Sequence, residues 1–222
     1  GGGFAGQYVY ALYQASDGAI WVGTQGHGAA RLTERTDGGF EVRRIAASPE
    51  GLGHTWVDGF VEPRAGRIWV ATFGGGIDVF SLDGGQRLQR VRSDPAVAGS
   101  LALDRVVAPW RDRSGLIWIG TWGGGAQWHN PHNAGAVQRL RHYQGREDGL
   151  SVANVLSVLE LEDGRLWIGT GGRGIDVFDP AEGIVGGFRP DPGREGALRD
   201  GTVRAMARNV QGTRWVGTQQ AG

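Results

Sequence analysis

The sequence contains no cysteine and a single methionine among its 222 residues. Without Cys there is no disulfide, no thiolate metal site and no cysteine nucleophile, although the absence fits any compartment. An excess of either charge is missing too: Lys plus Arg and Asp plus Glu both number 23, for a net charge of zero. A broad surface for nucleic acid requires a basic excess, so no nucleic-acid partner is expected. No stretch approaches the ~20 apolar residues of a membrane-spanning helix, and no signal peptide is visible. Helical periodicity is lacking as well. The chain begins GGGFAGQYVY, without an initiator Met, and is therefore expected to be a fragment.

What the sequence has in abundance is glycine, at 42 residues, and tryptophan, at nine. Both keep one register. Trp21, Trp69, Trp118, Trp167 and Trp215 are separated by 48, 49, 49 and 48 residues. Three residues before each stands Gly18, Gly66, Gly115, Gly164 or Gly212, and three after it Thr24, Thr72, Thr121, Thr170 or Thr218. Seven after it comes Gly28, Gly76, Gly125, Gly174 or Gly222, and twelve before it Val9, Val57, Val106, Val155 or Val203. A period of this size marks an array of supersecondary units.

Each unit divides into four short strands. In the fourth, NVLSVLEL is followed by the turn EDG and by RLWIGT; GGR leads into GIDVF, and DPAEG into IVGGF. The glycine before each Trp suits the φ > 0 position of a tight hairpin. Four strands per repeat indicate an all-β fold, a β-propeller of antiparallel four-stranded blades. The fourth strand alternates charges (FEVRRI, RLQRV, VQRLRHY) as an outer edge should. The first strand is then innermost, which suits its small residue at Ala11, Gly59, Ala108, Ser157 or Ala205. The chain is one partial propeller domain, residues 1–222, with repeats at about 3–50, 51–99, 100–148, 149–196 and a truncated 197–222. It is expected to be an open arc of about four and a half blades, with two uncovered blade faces and poor solubility alone.

The motif D-G-x-L-W-I-G-T followed by G-G-G-L/I resembles the two-component regulator propeller repeat. Its best copies are VLELEDGRLWIGTGGRGIDVFDP, RDRSGLIWIGTWGGGAQWHN and YQASDGAIWVGTQGHGAARL. Ala71 in place of Gly, Arg214 in place of an apolar residue and Gln220 in place of Gly depart from it and are expected to weaken single blades. The resemblance implies a non-catalytic, periplasmic sensor segment of a bacterial inner-membrane receptor. Its output domain, a histidine kinase or diguanylate cyclase, is missing from this sequence. The implied partners are a small-molecule or carbohydrate ligand, the remaining blades and membrane-linked output domain of the same chain, and a second copy in a receptor homodimer. More blades are expected upstream, downstream or both.

The Trp and Thr positions recur in every unit and are therefore architectural, because function sits in what differs between repeats. On that ground Trp167→Ala is expected to cost about 3–5 kcal/mol. The acids Glu160, Glu162 and Asp163 fall at the turn that also holds Asp17 and Asp112, which makes them a solvated turn rather than an acid–base pair. His129 and His132 of HNPH have a metal-compatible spacing but lack a third ligand nearby. A turn explains them better, and no metal or cofactor is implied. With the first strand innermost, the loops after the second and fourth strands share one face. That face would gather Tyr8, Trp56, Arg105 and Asn154 with His27, Phe73, Trp122 and Arg173, a set of aromatic and polar groups able to stack on and orient a ligand. A propeller enzyme of lyase or glycosidase type and a pure interaction scaffold are the alternatives. Against the sialidase type, no Thr directly precedes any of the anchor tryptophans.

Overall fold

Strand formation follows from the repeat: β-branched and aromatic residues alternate between glycine turns that no helix would tolerate. The computed structural model describes residues 8–97, 99–131, 138–142, 149–191 and 193–220. The first sheet holds β1 (Val9–Gln14), β2 (Ile20–Thr24), β3 (Ala29–Glu34) and β4 (Phe40–Ile45). The second holds β5 (Val57–Arg64), β6 (Arg67–Thr72), β7 (Gly76–Ser81) and β8 (Arg87–Val91). The third holds β9 (Val106–Arg111), β10 (Ile117–Thr121), β11 (Gly125–His129) and β12 (Gln138–Leu140). The fourth holds β13 (Val155–Glu160), β14 (Leu166–Thr170), β15 (Ile175–Asp179) and β16 (Gly183–Phe188); a fifth has only β17 (Val203–Arg208) and β18 (Arg214–Thr218).

Every sheet is an antiparallel meander in chain order. The first strands pack against one another, β1 on β5, β5 on β9, β9 on β13 and β13 on β17, so they form the inner wall of an arc of blades. The hairpin glycines Gly18, Gly66, Gly115, Gly164 and Gly212 all have φ between 76° and 89°, where a side chain would be strained.

The anchor tryptophans face the next blade in the chain. Trp21 lies 5.7 Å from Phe60, Trp69 lies 5.6 Å from His129, and Trp118 lies 5.5 Å from Phe178, ring centre to ring centre. Trp21 is 0% and Trp118 3% exposed, while Trp215, with no sheet beyond it among the described residues, is 64% exposed. The opposite end of the arc mirrors this. Val57, Val106, Val155 and Val203 are fully buried against the preceding blade, but Val9 is 45% exposed. The propeller is therefore incomplete, with a face on its first and last sheets that none of the described residues covers. Trp167 is only half-buried, with the Arg214 guanidinium 5.3 Å from its ring centre, so the largest truncation cost falls on Trp118 and Trp21 instead.

Two departures from the repeat prove to be compensated. Ala71 is buried where other blades have Gly, and its cross-strand partner Gly59 is the glycine of a position that is Ala or Ser elsewhere. At Gly120 an added Cβ would fall 2.9 Å from the Cβ of Ala108, so one member of each pair must lack a side chain. Arg214, rather than spoiling its strand, lies over Trp167.

The repeated Thr closes the second turn. Thr24, Thr72, Thr121 and Thr170 are buried and donate through Oγ1 to the carbonyls of Gly28, Gly76, Gly125 and Gly174 at 2.8, 3.0, 2.9 and 2.8 Å. The N–H groups of those same glycines donate to Thr55, Asp104, Ala153 and Gly201 of the next blade at 2.7–2.9 Å. One clasp thus joins the turn to its neighbour. Thr121→Val, which keeps the shape and removes the hydroxyl, should cost about 1 kcal/mol, and Thr121→Ser should recover much of it in urea titrations.

Buried polar side chains on the third strands fasten the loops between blades. Asp78 accepts from the Gly53 N–H and from Arg90 Nε, both at 2.6 Å. Asp176 accepts from the Ser151 N–H and hydroxyl at 2.8 and 3.0 Å, with Arg189 Nη2 2.7 Å away on its other oxygen. Gln127 accepts from the Ala102 N–H at 2.5 Å and donates to the Ser100 carbonyl at 3.1 Å. These three loops carry Trp56, Arg105 and Asn154 to the rim of the inner wall.

Candidate functional site

Each first strand contains one residue more than its partner at the rim end. Val9 pairs with Thr24 and Ala11 with Gly23, which leaves Tyr10 bulged out of the ladder. The same slip leaves Asp58, Val107, Leu156 and Arg204 unpaired in the other four blades. A bulge bends its strand and re-aims the extra side chain. All five bulged side chains are aimed into one recess of about 710 Å³ at the rim of the inner wall.

Loops supply the rest of the wall. The Phe73 N–H donates to the Trp56 carbonyl at 3.0 Å and the Trp122 N–H to the Arg105 carbonyl at 2.9 Å, which draws the two expected sets of loop residues onto one face. Trp56, Phe73 and Trp122 line the recess, and the Arg105 guanidinium lies 5.5 Å from the Phe73 ring centre. Tyr8 and the side chains of His27, Arg105, Asn154 and Arg173 stand outside the lining, Arg105 at its edge over Phe73; Tyr8 is 74% exposed, and His27 and Arg173 are exposed as well. Sequence reasoning missed the bulged residues and Gln219. The signal was present: the position after the invariant Val is Tyr, Asp, Val, Leu or Arg, different in every copy of an otherwise repeated strand.

Among the described residues Asp58 is the one carboxyl of the recess lining. Burial pushes its pKa up to about 7, and the neighbouring Trp56 indole and the Arg204 charge pull it back only in part. Asp58 Oδ2 and Trp56 Nε1 are both closed off from solvent and make no hydrogen bond to the protein; the indole is near enough to act on the carboxyl without bonding to it.

The remaining sequence candidates take structural places. Glu160 accepts from the Arg113 N–H and Nε, both at 2.9 Å, and Glu162 pairs with Arg208 at 3.3 Å, so the turn acids tie neighbouring blades together at the end away from the recess. Asp163 accepts from the Arg165 N–H at 3.1 Å within its own turn. His129 packs on Trp69, and its partial burial lowers its pKa. His132 and Gly222 lie outside the described residues. Among the described residues no three His, Asp or Glu side chains come together as a metal cluster.

An arc of four-stranded meanders about a common inner wall, with one recess fed by every blade, defines an incomplete β-propeller. Two stretches of it, residues 3–26 and 149–172, match the two component regulator propeller family. No curated protein matches the chain in sequence. Among solved structures it is similar to the extracellular domain of BT4673, a proposed one component system of B. thetaiotaomicron, with a TM-score of 0.73 and 20% identity over 98% of this chain. It also resembles PorZ, a surface component of the type-IX secretion system of Porphyromonas gingivalis, with a TM-score of 0.64 and 15% identity over 95% of the chain. Virginiamycin B lyase from Staphylococcus aureus shares the fold at a TM-score of 0.58 and 12% identity, over 97% of this chain and 71% of that one. The chain spans 29% of the BT4673 domain and 31% of PorZ. At these identities the likeness is one of fold.

Proposed function

We propose that this chain is a ligand-perceiving, non-catalytic segment of a bacterial signal-transduction receptor, placed on the periplasmic side of the inner membrane. The ligand is a small molecule or carbohydrate, and further blades and a membrane-linked kinase or cyclase output complete the receptor, which works as a homodimer. The observation that carries this reading is the convergence of five bulges. Residues that differ between repeats are aimed at one recess, beside three aromatic rings suited to stacking on a ligand ring. The family of the repeats and the extracellular setting of the BT4673 domain support the same reading.

Thermal-shift screening against sugars and amino acids tests it. A ligand at 100 times its Kd should add about 2.7 kcal/mol to the stability and raise Tm by several degrees. Val107→Trp, which fills the recess from one bulge, should abolish that shift. A screen without any shift, or a shift that survives the filled recess, would overturn the proposal.

A further inference from the structure

The recess is rich in rings and its charge is one-sided. Tyr10 meets Trp56 edge to face at 5.3 Å, Trp56 stacks on Phe73 at 4.8 Å, and Phe73 meets Trp122 edge to face at 6.0 Å. Two guanidiniums lie over this row: Arg105 over Phe73 at 5.5 Å and Arg204 over Trp122 at 5.9 Å. Elsewhere in the fold Arg31, Arg90, Arg113 and Arg189 each meet a carboxylate. Among the described residues neither Arg105 nor Arg204 has a carboxylate within ion-pairing distance; Arg204 Nη2 donates to the Gln219 amide oxygen at 2.9 Å, which holds it at the recess.

We infer that the recess selects an organic anion carrying a flat ring, with the ring against the Trp56–Phe73–Trp122 row and the negative charge held by Arg105 and Arg204. This rests on the proposed ligand-perceiving role and adds the class of ligand. A guanidinium already stacked on a ring is pre-organised, so it can offer its N–H fork to a carboxylate or sulfate with little further ordering. The lining carboxyl does not cancel this charge. Asp58, with a pKa of about 7, is about half protonated at neutral pH. Around it β1 contributes the Tyr10 phenol, β9 and β13 the apolar Val107 and Leu156, and β17 Arg204, while Arg105, from the loop before β9, stands at the edge of the recess over Phe73. An anion arriving beside Asp58 favours its neutral form, so binding takes up a proton and weakens as pH rises through 7.

Three probes with one ring and three charges separate the possibilities: indole-3-acetate, tryptophol and tryptamine, titrated calorimetrically into the intact chain. Indole-3-acetate should bind ~10-fold tighter than tryptophol, the gain of one charge-assisted guanidinium contact, and tryptamine should bind weakest. Arg204→Gln and Arg105→Gln, both at exposed positions, should each erode the preference while near-ultraviolet circular dichroism stays unchanged. The affinity for indole-3-acetate should fall several-fold between pH 6 and 8 in the wild type and hold constant in Asp58→Asn. Equal binding of indole-3-acetate and tryptophol would overturn the anion selectivity and leave the ligand-perceiving role standing, as would tightest binding of tryptamine. If no probe binds although the sugar and amino-acid screen yields a ligand, the inference fails alone; if that screen also fails, both fall.

Discussion

Trp118→Ala is expected to destabilise the chain by about 3–5 kcal/mol, whereas Trp215→Ala should cost about 1 kcal/mol or less. The two residues hold the same place in the repeat and differ only in what covers them. Trp118 is 3% exposed, stacks on Trp128 at 4.9 Å, meets Phe178 of the next blade at 5.5 Å and donates through Nε1 to Asp112 at 2.9 Å. Its removal leaves a cavity between two sheets and takes a hydrogen bond from the half-buried Asp112 carboxylate. Trp215 faces no sheet among the described residues and is 64% exposed, so truncation there removes little contact. Urea unfolding at unchanged slope provides the comparison. Equal costs at the two positions would mean that the anchor Trp acts within its own blade and not between blades.

The second large effect depends on pH. Asp58 in the folded chain keeps its proton up to about 7, against an ordinary carboxyl value of 3.8. Between those values the folded chain binds more protons than the unfolded one, so stability falls as pH rises through this window and stays lowered above it. Asp58→Asn removes the ionisation and should therefore stabilise the chain by about 4 kcal/mol at most above pH 7, and change it little near pH 4. Chemical denaturation of both proteins from pH 4 to 8 measures the divergence. Parallel stability curves would show that Asp58 ionises in the folded chain as it does in water. The loss in wild-type stability has a physical origin in the bulge, which points a carboxyl into a ring-lined recess where no protein donor reaches Oδ2.

Much of the architecture could be read from residue spacing, because each repeated residue answers a local demand. Gly18 and its counterparts meet the positive φ of a hairpin, and Thr24 and its counterparts close a turn through a carbonyl four residues on. Such demands are satisfied within a blade, so they leave a periodic signature. The aromatic half of the site was legible for a similar reason: Trp56, Phe73 and Trp122 are non-repeated residues in loops whose common face follows from strand order.

The other half left only a fainter signal, its variation between copies of the repeat. The position holding Tyr10, Asp58, Val107, Leu156 and Arg204 looks like an ordinary interior strand position, and strict alternation would not turn it to the channel. A bulge at that point re-aims the side chain and bends the strand. Ala71 looked like a defect until the fold set Gly59 across from it. Trp167 and Trp215 carry the same anchor motif as the buried Trp118, yet their exposure depends on what lies in the neighbouring blade. The sequence alone was therefore enough for the blade, whose interactions are local and repeat every 48 or 49 residues. Only the tertiary structure decided the recess and the uncovered faces, because these arise between blades, where residues some 48 positions apart in the chain set each other's direction, burial and charge.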